Sequence, residues 1–373
     1  MKKVTLLLFV LFISTSLFAQ QFSAVDTIIE NSIKKHIFPG AGVIVGTADK
    51  ILYQKAYGHF TYDPTSKEVV LQSMFDMASC TKVFATTTCM MKLVDEGKID
   101  IEAPVKNFIP DFAQNGKGDV KVRNLLLHNS GLPAHYSPKE GETPKDIFNK
   151  IFSLQFAYKT DSNMVYSCLN FVSTMKVIES ITGMPMYKYY KENFTDPLGM
   201  TRTMFTPSDE YKKDCLPATD SLQGVVHDPL ARGLKGLSGN AGLFSTTGDL
   251  AKICQLLLGN GVYQGKRYFS EETVKKFTTR YSAASSRALG WDTKSLHGYS
   301  SAGRLFSAKS FGHTGYTGTS AWMDPERKIF VIILTNRVYP DDKANVGPVR
   351  SHVADAVVSA IEGSQITPAA GGN

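Results

Sequence analysis

The sequence predicts an α+β protein in which the first and last segments share one sheet and a mainly helical segment is inserted between them. Three observations lead there. Apolar, β-rich runs occur at residues 42–46 and 51–56 near the start, and at 318–323 and 328–334 near the end. Between residue 79 and about residue 275 the apolar spacing is mostly helical. Helical spacing also returns at the two extremes, over 24–36 and 346–361, which places a helix at each end of the sheet segments.

Each element has its own signal. Residues 24–36 repeat Val25, Ile28, Ile29 and Ile33 on one helical face, and Pro39-Gly40 stops the run. Runs 42–46 and 51–56 flank an Asp49-Lys50 turn. Segments 81–96, 163–182, 186–194 and 247–258 read as helices, separated by loops rich in Gly, Pro and Asn at 127–133 and 233–242. Run 318–323 ends at Asp324-Pro325-Glu326, and 328–334 is then apolar without alternation, as in a strand covered on both faces. The reading divides the chain into a sheet domain of residues 22–60 plus 286–364 and a mainly helical insert of 61–285. The natural ligand site is a cleft between them.

The two ends and the composition bound the function. Residues 1–19 read as a signal peptide: Lys2 and Lys3 precede an unbroken apolar run at 6–13, and Leu17-Phe18-Ala19 offers a cleavage point. The run is too short to span a bilayer, so the expectation is an exported protein, periplasmic or secreted, with no membrane span. Residues 365–373 read as a disordered tail. The formal charge of +7 is scattered, with no basic stripe interleaved with aromatics, which argues against a nucleic-acid partner. Five cysteines, at 80, 89, 168, 215 and 254, show no zinc spacing and sit mostly in apolar runs as core fillers. His227-Asp228 lacks a third ligand, so neither a metal nor a cofactor is expected.

Chemistry centres on Ser79-Cys80-Thr81-Lys82. Residues three apart share a helical face, so a lysine one turn from a serine can take its proton if the amine is partly neutral. Burial and nearby positive charge would lower the lysine pKa. The same spacing occurs at Ser32/Lys35 and Ser173/Lys176, but only Ser79 lies where an extended run turns into a helix. Tyr166, in Val165-Tyr166-Ser167-Cys168, is the candidate second proton carrier. The third segment is Phe311-Gly312-His313-Thr314-Gly315-Tyr316-Thr317-Gly318, whose glycines allow close backbone approach. There the Tyr316 N–H, with the Ser79 N–H, can meet a developing oxyanion. His128 reads as structural, Ser238-Gly239-Asn240 as a glycine-rich turn, and Cys80 as pointing inward.

Ser-x-x-Lys, Tyr166-Ser167-Cys168 and His313-Thr314-Gly315, in that order, resemble the serine β-lactamase and penicillin-binding-protein superfamily. The nearest branch is the class C β-lactamase-like one of esterases, D-aminopeptidases and acyltransferases. The stretches 125–132 and 239–246 match as well. The resemblance implies a five-stranded antiparallel sheet flanked by the N- and C-terminal helices beside an inserted all-helical domain. It makes Ser79 the acylated nucleophile, Lys82 its base partner and Tyr166 the acid/base shuttle, with the Ser79 and Tyr316 N–H groups as oxyanion hole. His313, Thr314, Gly315 and Cys168 become substrate-binding positions. Two departures shape the substrate expectation. Cys168 stands where many β-lactamases carry an amide, and His313 replaces a lysine. Both point away from penicillins and stem peptides and toward esters or other neutral acyl donors. The expected reaction is hydrolysis of a small ester or amide through an acyl-enzyme. The alternatives are transfer of the acyl group to a small alcohol or amine, a β-lactamase or D,D-peptidase, or a sensor that acylates without turnover.

Overall fold

The computed structural model describes residues 21–363. The expected signal peptide, residues 1–19, and tail, residues 365–373, lie outside the described residues. The main sheet has strands β1 (Gly40–Thr47), β2 (Ile51–Gly58), β3 (Asp292–Thr293), β4 (Phe311–Thr314), β5 (Ser320–Asp324) and β6 (Ile329–Thr335). They lie in the order β2–β1–β6–β5–β4–β3, every neighbouring pair antiparallel. The chain ends therefore meet in one sheet: Val43 stands opposite Ile333, and Val45 opposite Val331. Six strands are present rather than five. The sixth, β3, is two residues long and too short to show alternation in sequence.

Five helices place the layers: α1 (Ser23–Lys34), α2 (Thr88–Asp95), α3 (Cys168–Thr182), α4 (Thr247–Leu258) and α5 (Gly347–Glu362). Successive strand side chains point to opposite faces. Val43, Val45, Val331 and Ile333 pack with Val25 and Ile29 of α1 and Val353 and Val357 of α5. Ile44, Ile332 and Leu334 pack on the other face with Leu250, Ile253 and Leu257 of α4, in a core that continues through the helical middle. Each such side chain contributes roughly 1.5–3 kcal/mol when fully buried. Both faces being covered explains the unbroken apolar run in β6. Among the described residues no helix is long and apolar enough to cross a membrane.

Two predicted helices differ in a way that matters for the site. The expected helix 81–96 starts as a 3-10 turn, Ala78–Cys80, passes through a π turn, Lys82–Thr87, and becomes α-helical only at α2. The expected helix 163–182 begins at Cys168. Residues 165–167 instead run beside His128, where the Val165 N–H donates to the His128 carbonyl.

Candidate active site

Ser79 sits in the middle of the 3-10 turn that follows a short extended pair, Phe75–Asp76. Lys82, three residues on, opens the π turn that follows, and its Nζ comes 3.0 Å from Oγ. The residue before the nucleophile, Ala78, has φ of +44°, a conformation costly for anything but glycine. Asp76 holds it there: one carboxylate oxygen accepts the Ala78 N–H at 2.8 Å and the other the His227 N–H at 2.7 Å. Burial outweighs those bonds and pushes the Asp76 carboxyl up to about 6. Cys80 points into the core, as expected, and burial pushes its thiol up to about 11.

Lys82 is wholly buried and all three of its N–H groups are committed: to Ser79 Oγ, to the Asn240 carbonyl at 2.9 Å, and to Cys168 Sγ at 3.6 Å. Here the structure corrects the sequence reading. Burial alone disfavours the ammonium, but its interactions with Cys168 and Tyr166, and with Asp228 beyond them, outweigh it. The Lys82 pKa therefore stands above the ordinary lysine value, not below it. Cys168, expected at the substrate, has its sulfur turned to Lys82.

Tyr166 lies where expected, with its ring 5.0 Å from Lys82 Nζ. Its segment is fixed on both sides. The Ser167 N–H donates to His128 Nδ1 at 3.0 Å, the Ser167 hydroxyl to the Pro133 carbonyl at 2.6 Å, and the Cys168 N–H to the Ala134 carbonyl at 2.8 Å. His128 is thus a brace, as its sequence context suggested. Burial, with Arg287 and Lys82 nearby, holds its pKa well below the usual histidine value. Among the described residues the Tyr166 hydroxyl is buried without a hydrogen-bond partner.

The third segment arrives on β4. Thr317 and Thr319 hydroxyls donate to the carbonyls of Asp76 and Met77, at 2.7 and 3.1 Å, tying this turn to the one that carries Ser79. Gly315 is required for that approach: a Cβ there would stand 2.0 Å from Thr319 Oγ1 and 2.6 Å from the Met77 carbonyl oxygen. Arg350 of α5 clamps the same turn through the Gly315 and Thr319 carbonyls, at 2.7 and 3.0 Å. His313 Nδ1 lies 2.8 Å from the Thr314 carbonyl, which can only accept, so Nδ1 carries the proton and Nε2 is left as an unpartnered acceptor. Burial, then the charges of Arg287 and Lys82, hold His313 neutral. Ser79, Tyr166, His313, Thr314, Gly315 and Tyr316 all line one cavity of about 630 Å³. As a residue in the first turn of a helix, Ser79 has an N–H with no intrahelical acceptor.

Sequence reasoning missed four contributors. The Asn240 carbonyl anchors Lys82, and its loop reaches that far because Gly239 packs against the Phe171 carbonyl, which a Cβ would meet at 2.2 Å. The Ser238-Gly239-Asn240 match was the available signal. Arg287, Arg337 and Arg350 line the cavity and carry no periodicity or motif that would mark them. His227 and Asp228 belong to structure: His227 stacks on Tyr316, and Asp228 caps the helix Pro229–Gly233. Among the described residues no group of three or more His, Cys, Asp or Glu could hold a metal.

The family model described as Beta-lactamase matches residues 25–355. The chain belongs to the beta-lactamase family. A provisionally named D-alanyl-D-alanine carboxypeptidase of Escherichia coli K12 is 30% identical over 345 residues, covering 80% of this chain and 79% of the relative. One from Salmonella agona with the same provisional name is 31% identical over 365 residues, covering 86% and 83%. Among solved structures, a penicillin-binding-protein homologue from Caulobacter crescentus superposes with a TM-score of 0.77 at 17% identity, covering 91% of this chain and 97% of its own. EstCE1, a hydrolase with promiscuous acyltransferase activity, superposes with a TM-score of 0.74 at 19% identity, covering 92% and 99%. The fold is therefore β-lactamase-like, as the resemblance implied, and the family is one of serine hydrolases.

Proposed function

We propose that the protein is an exported serine hydrolase of the class C-like type that cleaves an ester or amide of a small molecule through an acyl-enzyme on Ser79. The observation that carries this reading is the Ser79 Oγ at 3.0 Å from a buried Lys82 ammonium, facing a cavity that Tyr166 also lines. Ser79 Oγ attacks the carbonyl carbon and its proton passes to the Tyr166 oxygen acting as phenolate, which becomes the neutral phenol. The Lys82 ammonium compensates the negative charge of that pair. Tyr166 then returns the proton to the leaving oxygen or nitrogen as the carbonyl–leaving-group bond breaks. The N–H groups of Ser79 and Tyr316 hold the oxyanion, an interaction whose loss typically costs ~10²–10³ in rate. A water molecule completes the cycle by the same route in reverse, and a small alcohol or amine in its place gives acyl transfer. The relatives' provisional name adds D-alanyl amides to the acyl donors worth assaying. Export is inferred from Lys2, Lys3 and the apolar run that follows.

The test is incubation of the protein with 4-nitrophenyl acetate, with and without a panel of alcohols, following intact mass and products. The expected result is a transient acetyl adduct on Ser79 and release of acetate, abolished in Ser79→Ala. Alcohol-dependent ester products would move the reading to transfer, and a persistent adduct would move it to a sensor. Acylation that survives Ser79→Ala would overturn it.

A further inference from the structure

We infer that Asp76 is a positioning residue for acylation: its carboxylate ties the turn that carries the Ser79 N–H to the loop packed on Tyr316, and so fixes the two oxyanion donors relative to each other. The inference deepens the proposed function and rests on the Ser79 and Tyr316 N–H groups meeting the oxyanion there.

Three contacts converge on this one residue. One carboxylate oxygen accepts the Ala78 N–H at 2.8 Å, immediately before Ser79. The other accepts the His227 N–H at 2.7 Å, and the His227 ring stacks on Tyr316 with centroids 5.6 Å apart. The Asp76 carbonyl accepts the Thr317 hydroxyl at 2.7 Å, one residue past Tyr316. Asp76 thus holds the approach to the first oxyanion donor through its side chain. It reaches the second through His227 and again through Thr317. A carboxylate suits this task because both of its oxygens accept. An amide of the same size has one acceptor, and its NH₂ would face the other N–H donor to donor.

The arrangement is kept at a cost to the fold. Asp76 is only 5% exposed and, among the described residues, has no ion-pair partner. Arg232 acts on it from a distance, and Asp228, a like charge, opposes that. A buried carboxylate without a cation beside it is destabilising. The turn it holds is strained too, with φ of +44° at Ala78. A neutral side chain at 76 and a glycine at 78 would relieve both costs. What the charged pairing adds is a set direction for the Ser79 N–H against the Tyr316 turn. Oxyanion donors lower the barrier only when preorganised at the position the oxygen will take. A misplacement of about 1 Å can cost ~10² in rate.

The test follows acylation of Ser79 by 4-nitrophenyl acetate at pH 8, where Asp76 is ionised, in wild type, Asp76→Asn and Asp76→Asn/Ala78→Gly. The saturating acylation rate should fall ~10²-fold in Asp76→Asn, with the half-saturating ester concentration little changed. Glycine adopts positive φ without strain, so adding Ala78→Gly should restore part of the rate. A rate near wild type in Asp76→Asn, or a lost rate that Ala78→Gly leaves unrestored, overturns the inference. Thermal midpoints are measured alongside. A rate lost with the midpoint unchanged or raised supports positioning, and a rate lost only in step with a lowered midpoint overturns it. Crystal structures of wild type and Asp76→Asn read the geometry without turnover. The separation of the Ser79 and Tyr316 backbone nitrogens should differ between them, and an unchanged separation overturns the inference. A wild type that fails to acylate while that separation shifts as expected overturns the proposed function and leaves the tether in place.

Discussion

Two polar clusters in this molecule, each with a tyrosine hydroxyl in it, are built on opposite terms. Between α1 and β2, the hydroxyls of Tyr53 and Tyr57 both donate to Asp26, at 2.6 and 2.9 Å, and touch each other, while Lys55 pairs with the same carboxylate. Every polar group there has a partner. In the Ser79 cavity the Tyr166 hydroxyl, His313 Nε2 and two Arg287 nitrogens have none among the described residues. A satisfied polar network rigidifies the fold, whereas an unsatisfied one is costly to stability unless a ligand completes it. Lack of a partner alone does not mark a site, since the buried hydroxyls of Tyr189 and Tyr190 in the helical core also have none among the described residues; at Ser79 it coincides with a cavity.

The largest expected effect is on rate. Lys82→Ala and Tyr166→Phe should each lower kcat/KM by ~10²–10⁴ against a chromogenic ester. Tyr166→Phe should leave the thermal midpoint in place or raise it, because the hydroxyl removed has no partner to lose. Unchanged turnover in Tyr166→Phe would break the assignment of Tyr166 as proton carrier.

Asp76 gives an intermediate case: both of its oxygens accept N–H groups, yet burial still raises its pKa from 3.8 to about 6. Between those values the folded protein holds a proton that the unfolded chain has released. This group's contribution to stability is therefore largest below pH 4 and declines as pH rises through about 6. Relative to wild type, Asp76→Asn should gain stability across that window, by up to ~3 kcal/mol, in denaturant titrations at pH 4, 5, 6 and 7. A flat difference would show that the carboxylate's bonds fully offset its burial.

The smallest effect sharpens the comparison directly. Tyr57→Phe deletes a hydroxyl with a partner, and should cost ~1 kcal/mol of stability with kcat/KM unchanged. Loss of rate in Tyr57→Phe, or loss of stability in Tyr166→Phe, would dissolve the distinction between the clusters.

Much of the fold was legible because it rests on local periodicity. α4 falls on residues 247–258 as read, and β1, β2, β5 and β6 fall within two residues of their predicted bounds. The misses have local causes as well. β3 is too short to alternate. α3 starts five residues late because the Val165 and Ser167 N–H groups are taken by His128, 37 or more residues upstream. The helix Pro144–Ser153, outside the predicted set, carries a readable start in Thr143 and Asp146, which cap each other. In the site, Ser79, Lys82, Tyr166 and the 313–316 turn were legible as motif residues. The contact of Cys168 with Lys82 and the place of Arg287 in the cavity were not visible.

The sequence by itself determined the periodic elements, the sharing of one sheet by the two ends, and the serine and lysine one helical turn apart, since these depend on spacing along the chain. The tertiary structure alone decided that Lys82 stays charged, that the Asn240 carbonyl anchors it, that Cys168 turns toward it, and that a guanidinium from a distant loop stands beside Tyr166. Those outcomes are set by burial and by fields acting through space, and chain spacing does not encode either.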